Sequence, residues 1–195
     1  PKGEKLHTWL SPVQIKKLMD TCPSGTLEGR RDWIILALLV GAGLRREELA
    51  ALTFSHVKTV TTKNKKRTVL EVKGKGAKDR TVPINSTLAA RLAEWERETG
   101  GGRIARSLGR SQELGDSISA VGIFDVVRKH GARIDVPALA PHDLRRSYAQ
   151  AGYEAGVTIA QISTLLGHAS IQTTQRYLNL SLDLENTVSD FIPLA

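Results

Sequence analysis

The side-chain period changes between residues 57 and 84, and that change sets the limits on the fold. Val57 to Thr62, Thr68 to Lys73 and Arg80 to Ile84 are rich in Val, Ile and Thr and alternate apolar with polar positions, the period-two pattern of strands with one buried face. Lys63-Asn64-Lys65-Lys66 and Gly74-Lys75-Gly76-Ala77 separate them, so the segment reads as a small antiparallel sheet of two or three strands. Everything around it has helical spacing. Ser11-Pro12, a capping serine followed by a first-turn proline, opens a helix to about Asp20. Further helices are expected over Arg31 to Val40, Arg45 to Leu52, Ser86 to Thr99, Ser119 to His130, Pro141 to Glu154, Thr158 to Leu166 and Ser170 to Leu178. Gly100-Gly101-Gly102 breaks the helix that ends at Thr99 and begins a polar stretch to Asp116 that reads as a surface loop. The expected fold class is therefore mainly α with a small antiparallel β-sheet (α+β). A chain of 195 residues is long enough to bury one core without disulfides or metals.

Charge narrows the range of partners. The net charge is +8, and Lys58 to Arg80 holds nine basic residues against two acidic ones, nearly the whole excess. Such a concentration points to a polyanion partner; a solvated charged hairpin is the alternative. No amphipathic basic helix accompanies it, so membrane binding is not expected. The longest apolar run, Trp33 to Val40, is too short to cross a bilayer. Cys22 is the only cysteine, which rules out an intrachain disulfide and favours a reducing, cytoplasmic location. The chain opens on proline and shows no signal peptide, so a fragment lacking an N-terminal portion is expected. Gly41-Ala42-Gly43 does not continue as a dinucleotide-binding loop, and Lys73-Gly74-Lys75-Gly76 lacks P-loop spacing. No histidine pair has zinc-ligand spacing, and no acidic cluster suits magnesium. No metal or cofactor is expected.

What remains is a set of residues suited to breaking a phosphodiester with a protein nucleophile. Permanent cations must hold the non-bridging oxygens, and arginine fits because its planar fork matches phosphate and keeps its charge. Proton transfer needs lysine or histidine, and a covalent intermediate divides the reaction into two easier steps. The parts occur in order. Arg45, with Glu48 one turn on, opens a helix after a glycine turn. Lys75 sits between two glycines at a strand connection. His142 and Arg145 share a face at a helix start. His168 follows Gly167, and Tyr177 lies nine positions later. Each segment alone has an ordinary structural explanation. Tyr148 and Tyr153 compete as nucleophiles, but both lie on the helix of His142 and Arg145, where they are expected to be tied to the core.

Together the four segments resemble the tyrosine recombinase, or phage integrase, family over nearly the whole chain. The boxes are Gly43-Leu44-Arg45-x-x-Glu48-Leu49, Gly74-Lys75-Gly76-Ala77-Lys78-Asp79-Arg80-x-Val82-Pro83, His142-x-Leu144-Arg145, and Leu166-Gly167-His168 leading to Tyr177. They are most similar to the Xer-like bacterial and mobile-element branch. The resemblance implies the catalytic-domain fold of that family and a site-specific recombinase that cleaves and rejoins double-stranded DNA without metal. Arg45 and Arg145 would hold the non-bridging oxygens, and Lys75 would protonate the departing 5′ oxygen. His142 would assist proton transfer at Tyr177, and His168 would donate to the phosphate. Tyr177 would form a 3′-phosphotyrosyl link. Glu48 would support these groups through backbone or an arginine. Lys73, Lys78 and Arg80 would contact DNA, and Arg46 and Arg146 would contact DNA or acidic side chains. Removal of Arg45 or Arg145 would slow cleavage without unfolding the domain. The family also implies a missing N-terminal clamp domain, a tetramer on DNA with the isolated domain a monomer, and an apolar tail, residues 182–195, that docks on a neighbouring protomer. A type IB topoisomerase-like relaxing enzyme and a non-catalytic DNA-binding module of the same fold are the other readings.

Overall fold

A computed structural model describes residues 9–63, 65–74, 79–178 and 180. The change of period at residue 57 does produce a sheet. Strands β1 (Val57–Thr61), β2 (Lys66–Val72) and β3 (Arg80–Pro83) lie in the order β1-β2-β3, both pairings antiparallel. Leu70 pairs with Val57 on one side and with Val82 on the other. Strand β2 carries the buried Leu70 and Val72, whereas β1 is exposed beyond Val57. In β3, Arg80 has the same parity as Val82 and Ile84, and all three are buried. Arg80 was expected to reach DNA; alternation turns it inward instead.

Eight helices surround the sheet among the described residues: α1 (Pro12–Asp20), α2 (Leu27–Gly41), α3 (Arg46–Ala51), α4 (Ser86–Thr99), α5 (Ala120–Ala132), α6 (Pro141–Glu154), α7 (Ile159–Leu166) and α8 (Ile171–Tyr177). Helix α2 is the hub. Its residues Ile34, Ile35, Leu36, Leu38 and Leu39 are buried around the whole circumference, as in a helix enclosed by others, and it packs against α1, α3, α4, α5 and α6. It starts four residues before the expected Arg31, because Thr26 caps Gly29 N. A second, smaller core joins α6, α7 and α8 through Ala149, Ile162, Leu166, Tyr177 and Leu178.

The stretch after Gly100 departs from the expected surface loop. Ile104 and Ala105 are buried in the main core, and Trp95 Nε1 donates to Ile104 O at 2.8 Å. Bridges Thr53–Arg103 and Leu108–Leu114 give it further order. Tyr153 also differs from expectation: it is 40% exposed rather than tied to the core. His130 is a core histidine, held between Asp32 at 2.7 Å and Thr21 Oγ1 at 2.6 Å.

One polar clamp joins elements that the sequence leaves far apart. Both guanidinium NH groups of Arg80, on β3, donate to Glu48, on α3, at 2.8 Å each. Arg80 Nε donates to Leu165 O, on α7, at 2.7 Å. Burial alone would raise the Glu48 carboxyl, but the bonds from Arg80, Arg45 N and the Arg45 side chain hold it down at about 2.

Two expectations about stability follow. Gly43 has a φ of +60°, and a Cβ there would meet the Tyr148 ring at 2.6 Å. Gly43→Ala is expected to destabilise the fold by about 1–3 kcal/mol in chemical denaturation; unchanged stability would contradict the packing described. For Glu48, the folded carboxyl titrates below the unfolded one. Its stabilisation is therefore complete above about pH 4.5 and lost as pH falls through about 2. Glu48→Gln is expected to cost about 3–5 kcal/mol at neutral pH, by leaving buried guanidinium groups uncompensated, and to flatten the stability–pH curve across that acidic window. An unchanged curve would show that the pair contributes nothing.

Candidate active site

Arg45 is the N-cap of α3, a position that ordinarily favours Ser, Thr, Asp or Asn. The helix forms there because Glu48 reaches back to accept from Arg45 N at 2.8 Å, the carboxylate half of a capping box. The same carboxylate accepts from Arg45 Nη1 at 2.7 Å. Arg45 is thus aimed from both ends, and its side chain is still 36% exposed. It lines two clefts. One, of about 660 Å³, also presents Glu48, Lys73, Arg80 and His168. The other, of about 320 Å³, also presents Arg46, Phe124 and His142.

Helix α6 carries the next pair. Pro141 occupies its first turn and Asp143 accepts from Ala140 N at 3.0 Å, so the start of the helix is fixed. His142 and Arg145 then fall on one face. Arg145 is only 1% exposed, and its guanidinium donates to Gly43 O and Leu166 O. It also lies 3.9 Å from Glu48. Arg145 therefore ties the α2–α3 turn to the end of α7 as well as supplying charge. Arg145→Ala would leave buried carbonyls unpaired, so its removal is expected to cost stability, against the reading from sequence that it would spare the fold. Burial lowers the Arg145 guanidinium to about 10, and neighbouring Arg45 adds to the effect, yet it stays charged at neutral pH.

Helix α7 ends at Gly167, whose φ of +64° closes the helix as a left-handed cap. A Cβ there would also press on Arg80 Cδ at 3.0 Å. His168 follows, with Nδ1 2.9 Å from Thr174 Oγ1 on α8. Tyr177, at the end of α8, is held edge-on to two histidines, with ring centroids 5.6 Å from His142 and 5.1 Å from His168. The Arg146 guanidinium lies 5.1 Å from the Tyr177 ring centroid, in cation–π contact. Arg146 itself pairs with Asp143 at 3.2 Å.

Four guanidinium groups, Arg45, Arg80, Arg145 and Arg146, thus face two carboxylates, Glu48 and Asp143. The excess positive charge shapes the titration of its neighbours. Burial and then the charges of Arg145, Arg45 and Arg80 lower His168 to about 4. Burial, Arg146 and Arg145 lower His142. Burial raises the Tyr177 phenol despite the opposing arginines. The phenol is therefore protonated at neutral pH, with the His142 ring edge-on beside it.

The structure brings together Arg45, Glu48, His142, Arg145, His168 and Tyr177. Lys73 lines the larger cleft, and Arg46 is exposed and pairs with Glu47 at 2.7 Å. Lys75, Lys78 and the tail 182–195 lie outside the described residues. Arg80, read from sequence as a DNA contact, is buried under the site and holds Glu48. Asp143 and Thr174 were not singled out from sequence. Asp143 had a signal, a carboxylate at the third helical position after a proline start; Thr174 had none beyond being polar.

Comparison with known proteins identifies the family. The model described as "Phage integrase family" matches residues 8–182. The chain is 35% identical over 185 residues to tyrosine recombinase XerC of Pelobacter propionicus, covering 94% of this chain and 59% of the relative. It is 32% identical to tyrosine recombinase XerA of Pyrococcus horikoshii, with 88% of this chain and 56% of the relative covered. Tyrosine recombinase XerD of Pseudomonas putida is also 32% identical, with 92% and 59% covered. The chain thus spans less than two thirds of the length of these relatives. Among solved structures, XerA recombinase superposes with a TM-score of 0.71 at 24% identity, covering 93% of this chain and 62% of that one. XerH bound to its difH substrate in a pre-cleavage complex superposes with a TM-score of 0.72 at 22% identity, covering 93% and 53%. Both share the helix-rich fold with its small antiparallel sheet. The chain belongs to the phage integrase family, the tyrosine recombinases.

Proposed function

We propose that this chain is the catalytic part of a site-specific DNA recombinase, cleaving and rejoining strands through a 3′-phosphotyrosyl bond on Tyr177. The observation that carries the reading is a tyrosine among the charges of Arg145, Arg146 and Arg45, a surplus over their paired carboxylates Glu48 and Asp143. Such a surplus is suited to a phosphate, whose two non-bridging oxygens Arg45 and Arg145 would hold as charge builds. The Tyr177 oxygen attacks phosphorus, and its proton passes to His142. The bond from phosphorus to the 5′ oxygen breaks, and that oxygen takes a proton from Lys75. Rejoining reverses these transfers. His168 donates to the phosphate throughout.

The relatives' names support a recombinase over a relaxing enzyme, and the similar XerH was solved bound to its difH substrate. Exposed Lys73 and Arg46 offer contacts to the DNA backbone, joined by Lys78 and by Arg146 beside the nucleophile. In this reading the whole protein would carry an N-terminal DNA clamp and would assemble as a tetramer on DNA. Residues 182–195 would dock on a neighbouring protomer, and the work would take place on DNA in the cytoplasm.

A nicked suicide duplex pool with a randomised core tests this, because cleavage releases a short strand and traps the protein covalently. Tyr177→Phe is expected to form no adduct. Arg45→Ala, at a partly exposed position, is expected to fold and to cleave about 10²–10³ more slowly. An adduct on another residue, or near-normal cleavage by Arg45→Ala, would reject the assignment. Supercoil relaxation without exchange between two duplexes would favour the topoisomerase reading.

A further inference from the structure

The imidazole of His168 is bonded to a hydroxyl on the nucleophile's own helix. That hydroxyl belongs to Thr174, fully buried on α8, one turn before Tyr177. Its Oγ1 lies 2.9 Å from His168 Nδ1. Three other helical hydroxyls, Thr99, Ser147 and Thr164, each donate to the carbonyl four residues back, at 2.8–3.0 Å. Among the described residues Thr174 has no such carbonyl bond, and its one recorded partner is the imidazole nitrogen, which gives or takes the proton according to the tautomer. A buried hydroxyl without a partner would be costly, and Nδ1 is the partner it has.

We infer that Thr174 is a positioning residue for the cleavage reaction: by donating to Nδ1 of His168 it fixes the Nε2–H tautomer and leaves that N–H for the phosphate. This rests on the proposed recombinase chemistry, in which His168 donates to the scissile phosphate. The consequence is sharp because the ring sits among Arg145, Arg45 and Arg80, which together with burial keep it neutral. A neutral imidazole has a single N–H, so the nitrogen that carries it decides whether the ring donates to the phosphate or only accepts. Nδ1 is occupied by Thr174, and His168 lines the cleft that Arg45 and Arg80 also face. Were the tautomer reversed, Nδ1–H would donate to the hydroxyl and a lone pair would meet the phosphate oxygen. Thr174 also couples the histidine to the nucleophile, since it and Tyr177 share one short helix.

Long-range nitrogen–proton correlation on the chain without DNA reads the tautomer directly. The Nε2–H pattern is expected for His168, and the Nδ1–H pattern would overturn the proposal. Thr174→Val fills nearly the same space without the donor. It is expected to shift His168 toward the other tautomer and to slow adduct formation on the suicide duplex pool by about 10–100-fold, less than loss of a whole donor. Thr174→Ser is expected to restore both the tautomer and the rate. Wild-type cleavage by Thr174→Val, or failure of Thr174→Ser to rescue, would contradict it. If Thr174→Val does not fold, the wild-type spectrum and the serine variant still decide. Absence of any adduct with the unaltered chain would count against the recombinase reading and leave the spectrum to judge the tautomer.

Discussion

A single buried carboxylate holds the site together. Glu48 is only 7% exposed and accepts from the Arg45 backbone, the Arg45 side chain and both NH groups of Arg80, with Arg145 3.9 Å away. Three cations on one anion would repel one another in an apolar interior. Here the arrangement holds because Arg80 spends its third donor on Leu165 O and Arg145 is bonded to Gly43 O and Leu166 O. Arg45, Arg80 and Arg145 are each anchored by at least one bond within the protein itself. Preorganised charge of this kind needs no reorganisation at the moment of reaction, which is where electrostatic catalysis gains most.

The same bonds make the site inseparable from the fold. Arg145 fastens the turn after α2 to the end of α7, and Arg80 fastens β3 to α3 and α7. Tyr177 is part of the smaller apolar core with Ala149, Ile162 and Leu166. Tyr177, Arg145 and the packing around them are therefore built from one set of contacts. Arg45 is the exception among these arginines, partly exposed between two clefts.

Much of this was legible in the sequence because it is local. Strand alternation, the proline start of α6 and the glycine that ends α7 each depend on a few neighbouring residues, and the elements lie within a few positions of where the pattern puts them. The boxes pointed to the candidate site residues because their order along the chain resembles a known arrangement. What escaped depended on contacts across long stretches. Arg80 was read from its basic surroundings as a DNA contact, although its parity with Val82 and Ile84 already pointed it inward. Its partner Glu48 is 32 residues away, and no local pattern links them. Ile104 and Ala105 looked like loop because glycines and polar residues flank them, yet the Trp95 indole and the main core claim them. Thr174 escaped because one hydroxyl in a polar helix has no periodicity to betray it.

If Glu48 and Arg80 act as one clamp on the phosphate-binding arginines, their effects on cleavage must not add. A double-mutant cycle of Glu48→Gln and Arg80→Gln, read as single-turnover adduct formation on a nicked duplex, measures this coupling. The clamp predicts that the double variant is about as slow as the slower single one. Full additivity of the two losses would mean that the pair does not hold the site, and the account would fail at its centre.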